Sequence, residues 1–119
     1  MDGEISPEEV EELLHGDSPP RIVDIRQPVS FAREHIPGSE NIPFNELPSR
    51  VDSLAGATHI VTVCPHGQAS VQAARLIKSY EGTGDARVES MAGGLDAWEG
   101  DLDADVEQAT ADEGPDAPF

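Results

Sequence analysis

Ile60-Val61-Thr62-Val63-Cys64-Pro65-His66-Gly67-Gln68-Ala69-Ser70 is the stretch whose reading decides the fold. From His59 to Val63 the chain is a continuous, mostly β-branched run. Such a run suits a strand buried on both faces of a parallel sheet. A helical pattern follows from Val71 to Tyr80, so the segment reads as strand, tight loop and helix. The only cysteine of the chain, Cys64, stands at the end of the strand. A thiol there faces a helix N-terminus and a ring of loop N–H groups, both of which favour thiolate over thiol. The loop therefore reads as an active site.

Upstream, Glu4-Ile5 reads as a short edge strand. Ser6-Pro7-Glu8-Glu9 opens a helix, with Ser6 as N-cap, Pro7 at its first position and Glu9 closing a capping box. Val10, Leu13 and Leu14 share a face, and Gly16 ends the helix near His15. Arg21 to Arg26 is a short strand between Pro19-Pro20 and Pro28. Residues 30–35 have room for one or two helical turns, and Asn41-Ile42-Pro43 is a brief extended piece. Apolar residues at Phe44, Leu47, Val51 and Leu54 predict a helix over 44–54 despite Pro48.

Downstream, the helix after the loop is expected to bury Val71, Ala74 and Leu76 or Ile77, leaving Gln72, Arg75 and Lys78 to solvent. Arg87 to Met91 reads as a last strand, and Ala92-Gly93-Gly94 turns into a short helix, Leu95 to Glu99, with Trp98 as a core anchor. Strands alternating with helices make this an α/β domain, with a mostly parallel sheet of about five strands and helices on both faces. Ligands bind beyond the carboxyl ends of strands in such sheets, where Cys64 lies. The domain is expected over residues 1–100, followed by an acidic, disordered tail, 101–119.

The 119 residues carry a formal net charge of −17, with seven basic residues against 24 acids. Nucleic acid and anionic membranes are bound through Lys/Arg clusters, so neither is expected as a partner. The tail holds few of the acids, and the folded part is itself strongly acidic. Such a surface with a single lysine reads as that of a halophilic protein, since molar salt shortens the Debye length to ~3 Å. One cysteine rules out an intramolecular disulfide, a CxxC pair and a multi-cysteine zinc site. With no long apolar run and no signal-peptide pattern in Met1-Asp2-Gly3-Glu4, the cytoplasm is the expected location.

Four segments, in order, resemble the signatures of single-domain rhodaneses (thiosulfate sulfurtransferase-like proteins). They are Val23-Asp24-Ile25-Arg26, Phe31 with His35 to Pro43, the Cys64 to Ser70 loop as Cys-x-x-Gly-x-x-Ser, and Gly93-Gly94-Leu95-Asp96-Ala97-Trp98. Together they span about residues 5–100. The resemblance implies a five-stranded parallel sheet flanked by helices, and sulfur transfer through a persulfide on Cys64. The partners it implies are a small donor, thiosulfate or a persulfide, and a thiol or cyanide acceptor, with a sulfur-relay protein as a further option. Two positions depart from the family pattern: Ala69 stands where many members have arginine, and Ser30 where they have an acid.

Cys64 is the expected nucleophile, working by covalent catalysis without a metal or organic cofactor. Pro65, His66, Gly67, Gln68, Ala69 and Ser70 form the active-site and substrate-binding loop. Its N–H groups from His66 onward are expected to converge on the sulfur. Gly67 permits a positive φ, and Pro65 supplies no N–H. Ser70 either donates to the persulfide or caps the helix, and His66 either meets the donor or lies exposed. Asp24 and Arg26, at the neighbouring strand end, are supporting residues or a structural ion pair. Ser70 in place of the arginine that phosphatase loops carry argues against phosphate chemistry. A non-catalytic interaction module or persulfide carrier remains the alternative.

Overall fold

The structure is a computed structural model that describes residues 3–104. Five parallel strands form one sheet: β1 (Glu4–Ile5), β2 (Arg21–Asp24), β3 (Glu40–Asn41), β4 (His59–Val63) and β5 (Arg87–Met91), in the order β1-β5-β4-β2-β3. β4 is central, pairing Val61 with Ile22 on one side and with Glu89 on the other. Its burial on both faces is what a β-branched run is suited to.

The helices are α1 (Pro7–Leu14), α2 (Pro28–Arg33), α3 (Leu47–Arg50) and α4 (Ala69–Ser79). One apolar layer joins α4 and the 47–54 segment to the sheet through Ile60, Val88, Ala73, Ala74, Ile77, Leu47 and Leu54. The other packs Val10 of α1 and Trp98 onto Ile5, Ile22, Val61, Val63 and Met91. α1 starts as expected: Ser6 Oγ accepts the Glu9 N–H at 3.1 Å, and the Glu9 carboxylate reaches back to Ser6. α2 begins at Pro28, which takes the first helical position, where a missing N–H costs nothing.

Several local expectations are corrected. The segment 44–54 is not one helix: 3₁₀ turns at Phe44–Glu46 and Val51–Leu54 flank the four residues of α3. Pro48 lacks an N–H and fits only a first turn, so the helix restarts there. The apolar spacing survives the break, since Leu47, Val51 and Leu54 are all buried. Residues 95–99 are likewise a 3₁₀ turn, Gly94–Ala97, with Trp98 already extended.

α4 starts at Ala69, two residues earlier than its apolar pattern suggests, and buries Ser70, Ala73, Ala74 and Ile77. Its inward phase is set by Ser70, so Val71 is only half-buried. Lys78 is also half-buried, its Nζ donating to the Ala86 carbonyl. Trp98 is an anchor as read, its indole N–H donating to the Asp101 carbonyl at 2.9 Å. Beyond residue 100, Asp103 bridges His35 in antiparallel fashion. The rest of the expected tail, 105–119, lies outside the described residues.

Ile60 is fully buried in the central strand, whereas Leu102 is 43% exposed. Ile60→Ala is expected to cost about 2–5 kcal/mol in denaturant unfolding, and Leu102→Ala less than about 0.5 kcal/mol. Equal effects would contradict this placement of the core.

Candidate active site

β4 delivers Cys64 to the carboxyl edge of the sheet and α4 begins five residues later, so residues 64–70 curl around the sulfur. Pro65, His66, Gln68 and Ala69 form an exposed crown, while Cys64, Gly67 and Ser70 are buried beneath it. The Gly67 N–H donates to Cys64 Sγ at 3.0 Å, and the Ser70 N–H donates at 3.3 Å. Ser70 Oγ lies 3.3 Å from the sulfur. In the thiol form the S–H donates to Ser70 Oγ, and in the thiolate the hydroxyl turns to donate instead.

Burial alone pushes the Cys64 thiol up, because it penalises the charged form. The Ser70 hydroxyl and the N–H groups of Ser70, His66 and Gly67 act against it, and the balance holds the thiol below its ordinary range. Ser70 is therefore not the helix N-cap: Gln68 occupies that position, without a side-chain cap, and Ser70 sits in the first turn aimed at the sulfur.

Three residues that sequence reading left out complete this arrangement. Ser90 of β5 lies 2.6 Å from Ser70, oxygen to oxygen, so a Ser90–Ser70–sulfur chain can run inward from the sheet. Thr62 donates to the Ser70 carbonyl at 2.7 Å and fixes the start of α4. Asp96 accepts a hydrogen bond from His66 Nδ1 at 2.6 Å, with both side chains well exposed. A signal for Thr62 was present, since it is the one polar residue in the apolar run from Ile60 to Val63.

The loop is latched from below by residues 93–96. The Leu95 N–H donates to the Cys64 carbonyl at 2.9 Å, and the Asp96 N–H to the Pro65 carbonyl at 3.0 Å. This contact needs glycine on both sides. Gly67 has φ +83°, and a Cβ there would lie 2.7 Å from Gly93 N. A Cβ on Gly94, at φ +63°, would lie 2.3 Å from the Cys64 carbonyl oxygen. Either distance is well inside van der Waals contact.

Asp24 and Arg26 stand beside this site but turn away from it. Ile25 N–H donates to the Val63 carbonyl, which holds the end of β2 against the end of β4. The buried Asp24 carboxylate accepts from the Arg26 N–H at 3.0 Å and from its guanidinium at 2.8 Å. The remaining guanidinium hydrogen bond goes to the Glu34 carbonyl, and none goes to residues 64–70. His35 stacks on Phe31 with ring centroids 3.9 Å apart, a packing role. Among the described residues, no group of three or more His, Cys, Asp or Glu side chains is placed to hold a metal.

This geometry, a cysteine at the carboxyl edge of a parallel sheet under a ring of donors, defines a class of α/β protein built around one buried sulfur. Residues 6–101 match the rhodanese-like domain family, and the chain belongs to that family. It is 32% identical over 108 residues to the thiosulfate sulfurtransferase GlpE of Pseudomonas aeruginosa, a match covering 91% of this chain and 94% of that protein. A putative sulfur carrier protein of Bacillus subtilis, YrkF, is 31% identical over 97 residues, 82% of this chain and 51% of YrkF. The crystal structure of a rhodanese-like domain protein from Staphylococcus aureus superposes with a TM-score of 0.75 at 24% identity, covering 87% of this chain and 98% of that one.

Gly94→Ala forces a Cβ against the loop backbone at a positive φ. It is expected to lower stability by more than about 2 kcal/mol in denaturant unfolding. A loss below about 1 kcal/mol would mean that the latch is loose.

Proposed function

We propose that the protein is a sulfurtransferase that carries sulfane sulfur as a persulfide on Cys64. The observation that carries this reading is the convergence of the Gly67 N–H, the Ser70 N–H and the Ser70 hydroxyl on one buried sulfur. Donors preorganised around a sulfur stabilise it as a thiolate nucleophile.

In the first step the Cys64 thiolate attacks the outer sulfur of thiosulfate or of a persulfide. The donor S–S bond breaks, sulfite or the donor thiolate leaves with the electron pair, and Cys64–S–S⁻ remains. In the second step an acceptor thiolate or cyanide attacks the outer sulfur, forming an acceptor persulfide or thiocyanate and returning the Cys64 thiolate. Cys64 is only 2% exposed, so a reacting atom must come down through the crown of the loop. A terminal sulfane sulfur is slender enough for that approach.

Ala69 is exposed at the rim, and His66 is the loop's one residue able to carry positive charge. Arg26 does not replace the missing arginine, because Asp24 and Glu34 hold its guanidinium. A bidentate clamp for thiosulfate is therefore lacking. This favours, as a second reading, a carrier loaded by a persulfide donor or a partner protein, in line with the name of the Bacillus relative.

Intact-mass analysis separates the two. Incubation with thiosulfate or with a small persulfide is expected to add one sulfur to the wild type and none to Cys64→Ser. Loading by the persulfide alone would favour the carrier reading, and no adduct with either would overturn the sulfurtransferase reading. The net charge of −17 repels an anionic donor, and salt screens that repulsion. Turnover of thiosulfate with cyanide is accordingly expected to rise with salt, as a halophilic protein would require. Equal or faster turnover at low salt, in protein shown to be folded, would contradict this.

A further inference from the structure

A second concave site lies apart from the loop. A cleft of about 320 Å³ opens between the C-terminal end of α1, the Pro19–Pro20 entry to β2, the Pro37–Gly38 turn and Trp98. None of residues 64–70 lines it. Its volume is at the lower end of the range for small-molecule pockets, which are mostly apolar with a few placed polar groups. Leu14, Pro20, Pro37 and the indole of Trp98 supply the apolar wall.

The polar groups are of one sign. Glu11 and Asp101 line the cleft, and among the described residues neither carboxylate has a salt-bridge partner. His15, at the rim, is the one side chain there able to carry positive charge, and it is exposed. Glu11 is drawn in towards the indole: the point where a Cβ on Gly100 would stand is 2.6 Å from Trp98 Cζ2 and 2.9 Å from Glu11 Oε2. The Trp98 N–H is already given to the Asp101 carbonyl and the side chain is only 9% exposed, so a visitor meets a strip of indole ring rather than a hydrogen-bond donor.

An indole beside two uncompensated carboxylates and apolar walls has one complementary ligand chemistry. We propose that this cleft binds a small organic cation, an ammonium or guanidinium group carried on an apolar body. The body displaces water from the prolines and Leu14, while the charge meets Glu11, Asp101 and the indole ring. Cations are attracted to tryptophan above all other aromatic residues. The chain-wide negative charge raises the local concentration of such ligands and disfavours anions.

Trp98 is the only tryptophan in the chain, so its fluorescence reports on this cleft directly. The full chain is titrated at about pH 8 and low ionic strength with benzylammonium, benzyl alcohol and benzoate, which share one apolar body and differ in charge. Circular dichroism verifies that the protein is folded. Benzylammonium is expected to give a saturable change, at least about fivefold tighter than benzyl alcohol, with benzoate weakest. Glu11→Gln and Asp101→Asn, both isosteric and at accessible positions, are expected to reduce that preference and leave the response to benzyl alcohol unchanged. No saturable response to benzylammonium, equal responses to all three compounds, or a preference that survives both substitutions would each overturn the proposal. Sulfur loading of Cys64 is a separate measurement, so the two sites fail or stand independently.

Discussion

A sulfur anion inside a protein is stable only if nearby donors offset what burial costs it, and this requirement shapes the middle of the chain. Cys64 is buried, which by itself favours the neutral thiol. Donors at 3.0 and 3.3 Å reverse that preference, and they come from a loop of six residues that has to be held in one conformation. The loop's shape depends on the hydrogen bonds from Leu95 and Asp96 beneath it and on Thr62 at the start of α4. Two glycines, Gly67 and Gly94, let the two segments approach closely enough for those bonds to form.

The parallel sheet makes the latch possible. β4 and β5 are neighbours that run in the same direction, so the turn after β5 emerges beside the loop after β4. Residues 64–70 and 93–96, nearly thirty positions apart, meet for that reason. The same adjacency puts Ser90 under Ser70. Access to the sulfur from the loop side and core packing from the other therefore act on one short stretch of chain, and a change in β5 can alter the surroundings of the sulfur without touching it.

Much of this was legible in the sequence. The β-branched run, the lone cysteine and the following helix are local patterns, and they placed the site at the edge of a parallel sheet. The capping box at Ser6 and the positive φ of Gly67 are likewise set within a few residues. Partnerships between distant residues were not legible. Nothing near Ser70 in sequence reveals Ser90, which is why helix capping and sulfur contact could not be told apart. Pro48 split an apolar spacing that otherwise fitted a single helix, because periodicity records which side chains face inward and not the hydrogen bonds between them. Arg26 offered a cation near the site, and the Asp24 carboxylate and the Glu34 carbonyl had already claimed it. The cleft around Trp98 assembles four separate segments, so no single stretch announces it.

The central claim is that hydrogen bonds outweigh burial and hold the Cys64 thiol below its ordinary range. The most direct measurement is the ultraviolet absorbance of the thiolate followed against pH, in the wild type and in Ser70→Ala. Donors that favour the charged form lower the midpoint, so the wild type is predicted to titrate below an ordinary thiol. Removing the Ser70 hydroxyl is predicted to move the midpoint upward. A wild-type midpoint at or above that of a free thiol, unchanged in Ser70→Ala, would contradict the account.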